Sequence, residues 1–141
     1  MTQKSLVGTW RLISCELRRE DGKVNYPFGK DASGNITYTE DGHMFVAVMS
    51  SNRTKFASGD FRGGTTEETL AAASTYLSYC GKYDIHGNEV IHRIEVSSYP
   101  NWIGVDQGRI FEFDGDRLIL SSQPLLVDGV QQTFFVVWER V

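Results

Sequence analysis

Residues 1–141 predict an all-β domain. Eight strands, nine at most, run antiparallel and up-and-down and close into a barrel, with one helix inserted mid-chain at about residues 67–80. Three observations carry this reading. Short apolar segments recur along the chain, several with the period of two that marks a half-buried strand. Asp-Gly or Gly-Asn pairs at 21–22, 41–42, 87–88, 114–115 and 128–129 separate them, supplying the positive φ of tight hairpins. A sheet of this size disposes of its edges by closing on itself. No repeat, linker or composition break divides the chain, so a single domain over residues 1–141 is expected.

Taken in order, residues 8–18 form the first strand, one phase carrying Trp10, Leu12, Ser14 and Glu16, the other Arg11, Ile13, Cys15 and Leu17. Residues 20–23 turn, and 26–29 and 31–34 are loop. Residues 35–39 and 43–49 make the second and third strands around the turn at 40–42; the third is apolar on both faces. Residues 50–64 are a polar loop with two aromatics, Phe56 and Phe61. Thr65-Thr-Glu-Glu68 reads as a capping box, in which the Thr65 hydroxyl and the Glu68 carboxylate each take a free backbone N–H. The helix that follows runs from Glu67 to about Cys80, with Gly81 as its stop. Its stripe Leu70, Ala73, Leu77 must lie on something, and the outer phase of the first strand, Ile13, Cys15 and Leu17, is one seat open to it. Beyond Gly81 the chain meanders through strands at 82–85, 89–98, 107–113, 117–122 and 132–140. In the 89–98 strand, Val90, His92, Ile94 and Val96 share one face, and Arg93 and Glu95 the other.

Composition excludes several classes. The formal net charge is −4 with no basic run, which is no footprint for nucleic acid. No apolar run approaches the ~20 residues of a membrane span. The first residues carry no apolar leader, so the expected compartment is the cytoplasm, with no membrane insertion, and Cys15 and Cys80 are expected as thiols. His43, His86 and His92 lack metal-ligand spacing, and neither a nucleophile elbow nor a P-loop is present. No metal and no cofactor are expected.

Two features look like the lipocalin and calycin group: Gly8-Thr9-Trp10 opening the first strand, and Arg140 two residues after Trp138 on the last. In that group these positions pack across the closed end of the barrel, and a guanidinium over an indole is a cation–π contact suited to joining first and last strands. The wider pattern comprises Gly8-Thr-Trp-Arg-Leu, Tyr38-Thr-Glu-Asp-Gly42, Tyr79-Cys-Gly-Lys-Tyr83, His92, Pro100-Asn-Trp102 with Gly104, Arg109, and Asp116-Arg-Leu-Ile-Leu120. It resembles the small bacterial and fungal lipocalin-like domain family over nearly the whole chain. The chain departs from true lipocalins in lacking a Thr-Asp-Tyr motif and in carrying its helix mid-chain. The resemblance implies a lipocalin-like barrel with a ligand cavity. Barrels of this kind in specialised metabolism bind hydrophobic intermediates, and some act as cofactor-free cyclases or isomerases.

The polar groups expected to face inward are the candidates for chemistry. His92 lies among aliphatic neighbours, and an unpaired imidazole there costs a few kcal/mol. Arg109, in phase with Phe111 and Phe113, is placed near it. Glu16 joins them if it follows Trp10 in phase, giving an acid–base and anion-binding cluster; otherwise it sits in water at the rim. A satisfied core histidine and a structural ion pair are the plain alternatives for His92 and Arg109. Tyr38, Tyr79 and Tyr83 offer hydroxyls to a ligand oxygen, or else pack by their rings. Trp102 is a cavity-mouth residue or a loop anchor, and Phe111 and Trp138 are inward aromatics expected to touch ligand. Three functions follow. The first is a barrel binding a small, largely hydrophobic metabolic intermediate. The second is a cofactor-independent cyclase or isomerase with acid–base help from His92. The third is a filled barrel used for protein contacts. Self-association is left open.

Overall fold

A computed structural model describes residues 5–141. Its strands are β1 (Gly8–Arg19), β2 (Val24–Asn25), β3 (Ser33–Tyr38), β4 (His43–Met49), β5 (Tyr76–His86), β6 (Glu89–Ser97), β7 (Asp106–Asp114), β8 (Arg117–Ser122), β9 (Leu125–Val127) and β10 (Val130–Arg140). A helix, α1 (Thr66–Ser74), precedes β5, and a 3₁₀ turn, Pro100–Trp102, follows β6. The sheet runs β2-β1-β3-β4-β5-β6-β7-β8-β10-β9, and β1 also pairs with β10. Eight antiparallel strands thus close into a barrel. The extra strands, β2 and β9, extend the sheet beside the far ends of β1 and β10.

One end of the barrel is plugged. Trp10, buried on β1, donates its indole N–H to Leu6 O at 2.9 Å and stacks on Phe113. The Arg140 guanidinium lies 4.0 Å from the Trp10 ring centroid and donates to Val7 O at 3.0 Å and Ser5 O at 2.6 Å. Gly8 is required beneath it: its φ is +132°, and a Cβ would come within 2.8 Å of Arg140 Nη1. Ile36, Met44, Val90, Ile94 and Leu118 complete the packed core.

The structure corrects the sequence reading at three places. The helix ends at Ser74, capped by Thr75, and residues 76–80 belong to β5. Thr75, Tyr76 and Tyr79 are β-branched or aromatic, and pairing of residues 76–82 with β4 outweighs the weak helical stripe. Gly81 is therefore no helix stop. It sits inside β5, where a Cβ would meet Arg93 O at 1.9 Å. The helix does not lie on β1 either: none of its residues is buried, Leu70 is 69% exposed, and Leu77 is in the strand. Its capping box does form, Glu68 N donating to Thr65 Oγ1 at 3.1 Å and Thr65 N to Glu68 Oε1 at 2.9 Å.

The other two corrections come from β-bulges. One lies on β1 between Leu12 and Ser14 and swaps the strand's faces, so Cys15 and Leu17 turn inward and Glu16 turns out. The second falls where β5 pairs β6: Cys80 faces Val96 but Gly81 faces Ile94, leaving Glu95 as the extra residue. Val96 is consequently 64% exposed on the outside of the barrel, not on the face of Val90, His92 and Ile94. Cys15 and Cys80 are both free thiols.

Candidate functional site

Above the plug lies a chamber of about 60 Å³. Its walls are apolar for most of their extent, with Ile36, Val46, Val48, Leu120 and Val136 among them. Its polar lining comes from Cys15, Tyr79, His92, Trp102, Arg109 and Trp138. Above the chamber is a wider vestibule of about 590 Å³, and Phe28, Leu77, Trp102 and Phe134 line both spaces. The vestibule is built by the end of α1, the start of β5, the 3₁₀ turn and β9, elements set around the open end of the barrel.

His92 is the hub of the polar wall. It is 1% exposed, and each ring nitrogen has a tyrosine partner: Nε2 lies 2.7 Å from the Tyr38 hydroxyl and Nδ1 2.8 Å from the Tyr79 hydroxyl. The three side chains come from β3, β6 and β5, and the barrel's curvature brings them together. Burial, and then the charge of Arg109, push the His92 pKa down to about 3, so the ring is neutral at pH 7. Burial pushes both tyrosine pKa values up, so both phenols keep their protons.

Arg109 is 8% exposed, at the register position opposite Val90 on β6 and Ser122 on β8. Its Nη1 donates to Gly108 O at 3.0 Å and Gln107 Oε1 at 3.3 Å. Its guanidinium carbon lies 6.0 Å from the Trp102 ring centroid, and its charge and a hydrogen bond to the Tyr79 hydroxyl oppose the effect of burial on that phenol. Every Arg-carboxylate pair among the described residues lies elsewhere, so the only charge on this wall has no counter-ion. Trp102 packs edge-on against Tyr79 and Tyr99 at the mouth.

The remaining expected site residues fall outside this cluster. Tyr83 donates to Thr39 O at 2.7 Å and sets its ring edge-on to Tyr38, supporting the cluster from the plugged side. Glu16 pairs with Arg18 on the outer face at 2.9 Å. Phe111 packs against Phe113 and the core without lining the chamber. Trp138 does line it, and its buried Nε1–H has no acceptor among the described residues. The sequence reading missed Phe28 and Leu77 at the mouth. An aromatic held between Pro27 and Gly29 in a loop is the signal that would have found Phe28.

The sequence profile of the lipocalin-like domain family matches residues 7–141. The chain belongs to the lipocalin-like domain family. It is 37% identical over 107 residues, 70% of this chain and 96% of the other, to the 4'-hydroxy-3'-methoxypropiophenone carrier protein of Aspergillus oryzae. Among solved structures it resembles a lipocalin-like protein from Bacteroides uniformis with 14% identity and a TM-score of 0.50. That match covers 96% of this chain and 98% of the other. A protein from Bacteroides eggerthii matches with 16% identity and a TM-score of 0.50, over 96% and 99% of the two chains. At such identities the likeness is one of fold. No helix among the described residues of this lipocalin-like chain is long and apolar enough to cross a membrane.

Proposed function

We propose that the barrel is a carrier for a small, largely apolar molecule whose polar end is fixed by the wall of Tyr79, His92 and Arg109. The observation that carries this reading is the chamber itself, apolar over most of its lining, with Tyr79, His92 and Arg109 grouped on the adjacent strands β5, β6 and β7 and a wider vestibule of mixed polarity above it. The carrier relative adds support, because its named cargo is a small aryl ketone, with a carbonyl at one end and a hydroxyl- and methoxy-bearing ring at the other. In this arrangement His92 is a strut. Neutral and bonded at both nitrogens, it aims the two phenols and leaves contact with the ligand to Tyr79 and Arg109.

The test is a titration of the protein with 4'-hydroxy-3'-methoxypropiophenone, followed by tryptophan fluorescence, since Trp102 and Trp138 both line the chamber. Saturable quenching is expected, with His92→Ala and Arg109→Leu each weakening affinity by about tenfold or more through lost or misdirected hydrogen bonds. Mass analysis of the recovered ketone separates carriage, which returns it unaltered, from conversion. Absence of saturable binding of this ketone and of simpler aryl probes overturns the reading.

A further inference from the structure

The hydrogen atoms of the polar wall can be counted. The two tyrosines and neutral His92 hold three donor hydrogens, one on each hydroxyl and one on the ring. They are joined by two hydrogen bonds, each using one hydrogen. Whichever tautomer His92 adopts, one hydroxyl hydrogen is left over at one end of the chain. At the Tyr38 end it would have no acceptor, because His92 is the only hydrogen-bond partner of that buried hydroxyl among the described residues. At the Tyr79 end it faces the chamber, which Tyr79 lines and Tyr38 does not. The favoured arrangement therefore has Tyr38 O–H donating to Nε2, Nδ1–H donating to the Tyr79 oxygen, and the Tyr79 hydroxyl hydrogen directed into the chamber.

Two further lining groups have the same sign. Arg109 has donors only, and it carries a charge with no carboxylate beside it. The Trp138 indole N–H is buried without an acceptor among the described residues. No Asp, Glu, Asn, Gln, Ser or Thr side chain lines the chamber, and the acceptor sites of His92 and Tyr79 are engaged within the wall. Beyond the weakly accepting sulfur of Cys15, a ligand's own donor would find no side-chain counterpart here.

We infer that the chamber is a donor-dominated site and selects ligands whose leading group is an acceptor, a carbonyl oxygen carried on a short acyl end. This inference rests on the carrier reading and specifies the chemistry of the end that enters first. Size agrees with it: a cavity of about 150 Å³ is known to hold a benzene ring, and the chamber, at about 60 Å³, is smaller. The acyl end occupies the chamber and the ring lies in the vestibule beside Phe28, Trp102 and Phe134. Two donors from Tyr79 and Arg109 then meet the carbonyl oxygen, one of them charge-assisted.

The test uses three probes of similar shape: propiophenone, propylbenzene, which has no acceptor, and 3-phenylpropylammonium, which has donors only. Binding is followed by tryptophan fluorescence and checked by calorimetry. The ketone is expected to bind about tenfold or more tighter than the hydrocarbon, and the ammonium weakest, repelled by Arg109. Tyr79→Phe should cut the ketone-to-hydrocarbon ratio to about threefold or less, and Arg109→Leu should relax the exclusion of the ammonium. Equal binding of ketone and hydrocarbon by the native protein overturns the inference while the carrier reading stands, as does a ratio unmoved by Tyr79→Phe in a variant whose circular dichroism is native. If none of the three binds, the carrier reading falls and takes this inference with it.

Discussion

The buried histidine makes stability depend on acid in a way that can be worked out from the structure. His92 is held between two phenols with its pKa pushed from 6.5 to about 3, by burial first and by Arg109 second. In the unfolded chain the ring recovers its ordinary pKa. Between pH 6.5 and 3 the unfolded ring therefore takes a proton that the folded ring refuses, and acidification favours unfolding. At about 1.36 kcal/mol per pH unit, the loss from this group reaches roughly 3 kcal/mol by pH 4, a large share of the ~5–15 kcal/mol of an ordinary domain. Asp41 and Glu68, whose pKa values are lowered by hydrogen bonds, also lose stability as pH falls, so the native protein needs a reference. His92→Gln supplies one, with a donor and an acceptor but no titration. Urea unfolding at pH 7 and pH 4, extrapolated linearly to water, should show the native protein losing about 3 kcal/mol more than the variant. A difference below about 1 kcal/mol would mean that the ring takes up its proton without unfolding, and the account of His92 as a neutral strut would be wrong.

Three further outcomes follow from the fold. Arg140→Leu should cost about 2–4 kcal/mol in denaturant unfolding, because two carbonyls lose a charged donor and Trp10 loses its cation; Arg140→Lys should recover little of it, lacking the planar fork. Gly81→Ala should destabilise by about 1–3 kcal/mol or more in a thermal melt, since its methyl group would overlap Arg93 O and neither backbone can yield cheaply; an unchanged melt would refute the close approach of β5 and β6. Glu16→Gln should leave ligand titration unaltered and shift stability by less than about 1 kcal/mol, as expected for an outer-face ion pair with Arg18; a tenfold loss of affinity would put Glu16 back in the cavity.

The barrel was legible in the chain because its signals are local. Turn pairs at Asp41-Gly42 and Asp114-Gly115 sit where the structure turns, and the apolar runs that those turns bound form strands over 43–49 and 117–122 as expected. His92 and Arg109 were legible as inward residues because each lies on a stretch of strand with unbroken period. The misreadings of face have one physical origin. A bulge adds a residue to one strand and exchanges its faces, and nothing in Leu12-Ile13-Ser14 or Ile94-Glu95-Val96 announces it, because the irregularity is set by the neighbouring strand. That is why phase alone puts Val96 on the inner face and Cys15 on the outer one, and leaves Glu16 open between the interior and the rim. The helix was overextended for a related reason: residues 76–80 pair with β4, a contact made across the fold. β2 and β9 are two and three residues long, too short to carry any period of their own.

The seam between β1 and β10 bears on how such a chain is made. Trp10 pairs with Arg140 across the closing seam, so the loop shut by this contact runs from residue 10 to residue 140. While the chain is being synthesised, β1 and β8 each present an unpaired edge until the segment around residue 140 has emerged. Nascent chains are then open curved sheets with sticky margins, the state in which edge-to-edge association between neighbours on a polysome competes with closure. Closure of so long a loop is slow, because its entropy is lost before any contact repays it. Conditions that delay the last strand, such as a rare-codon run near its end or a C-terminal truncation into β10, should therefore reduce soluble yield far more than an equal deletion from the polar loop at 50–64.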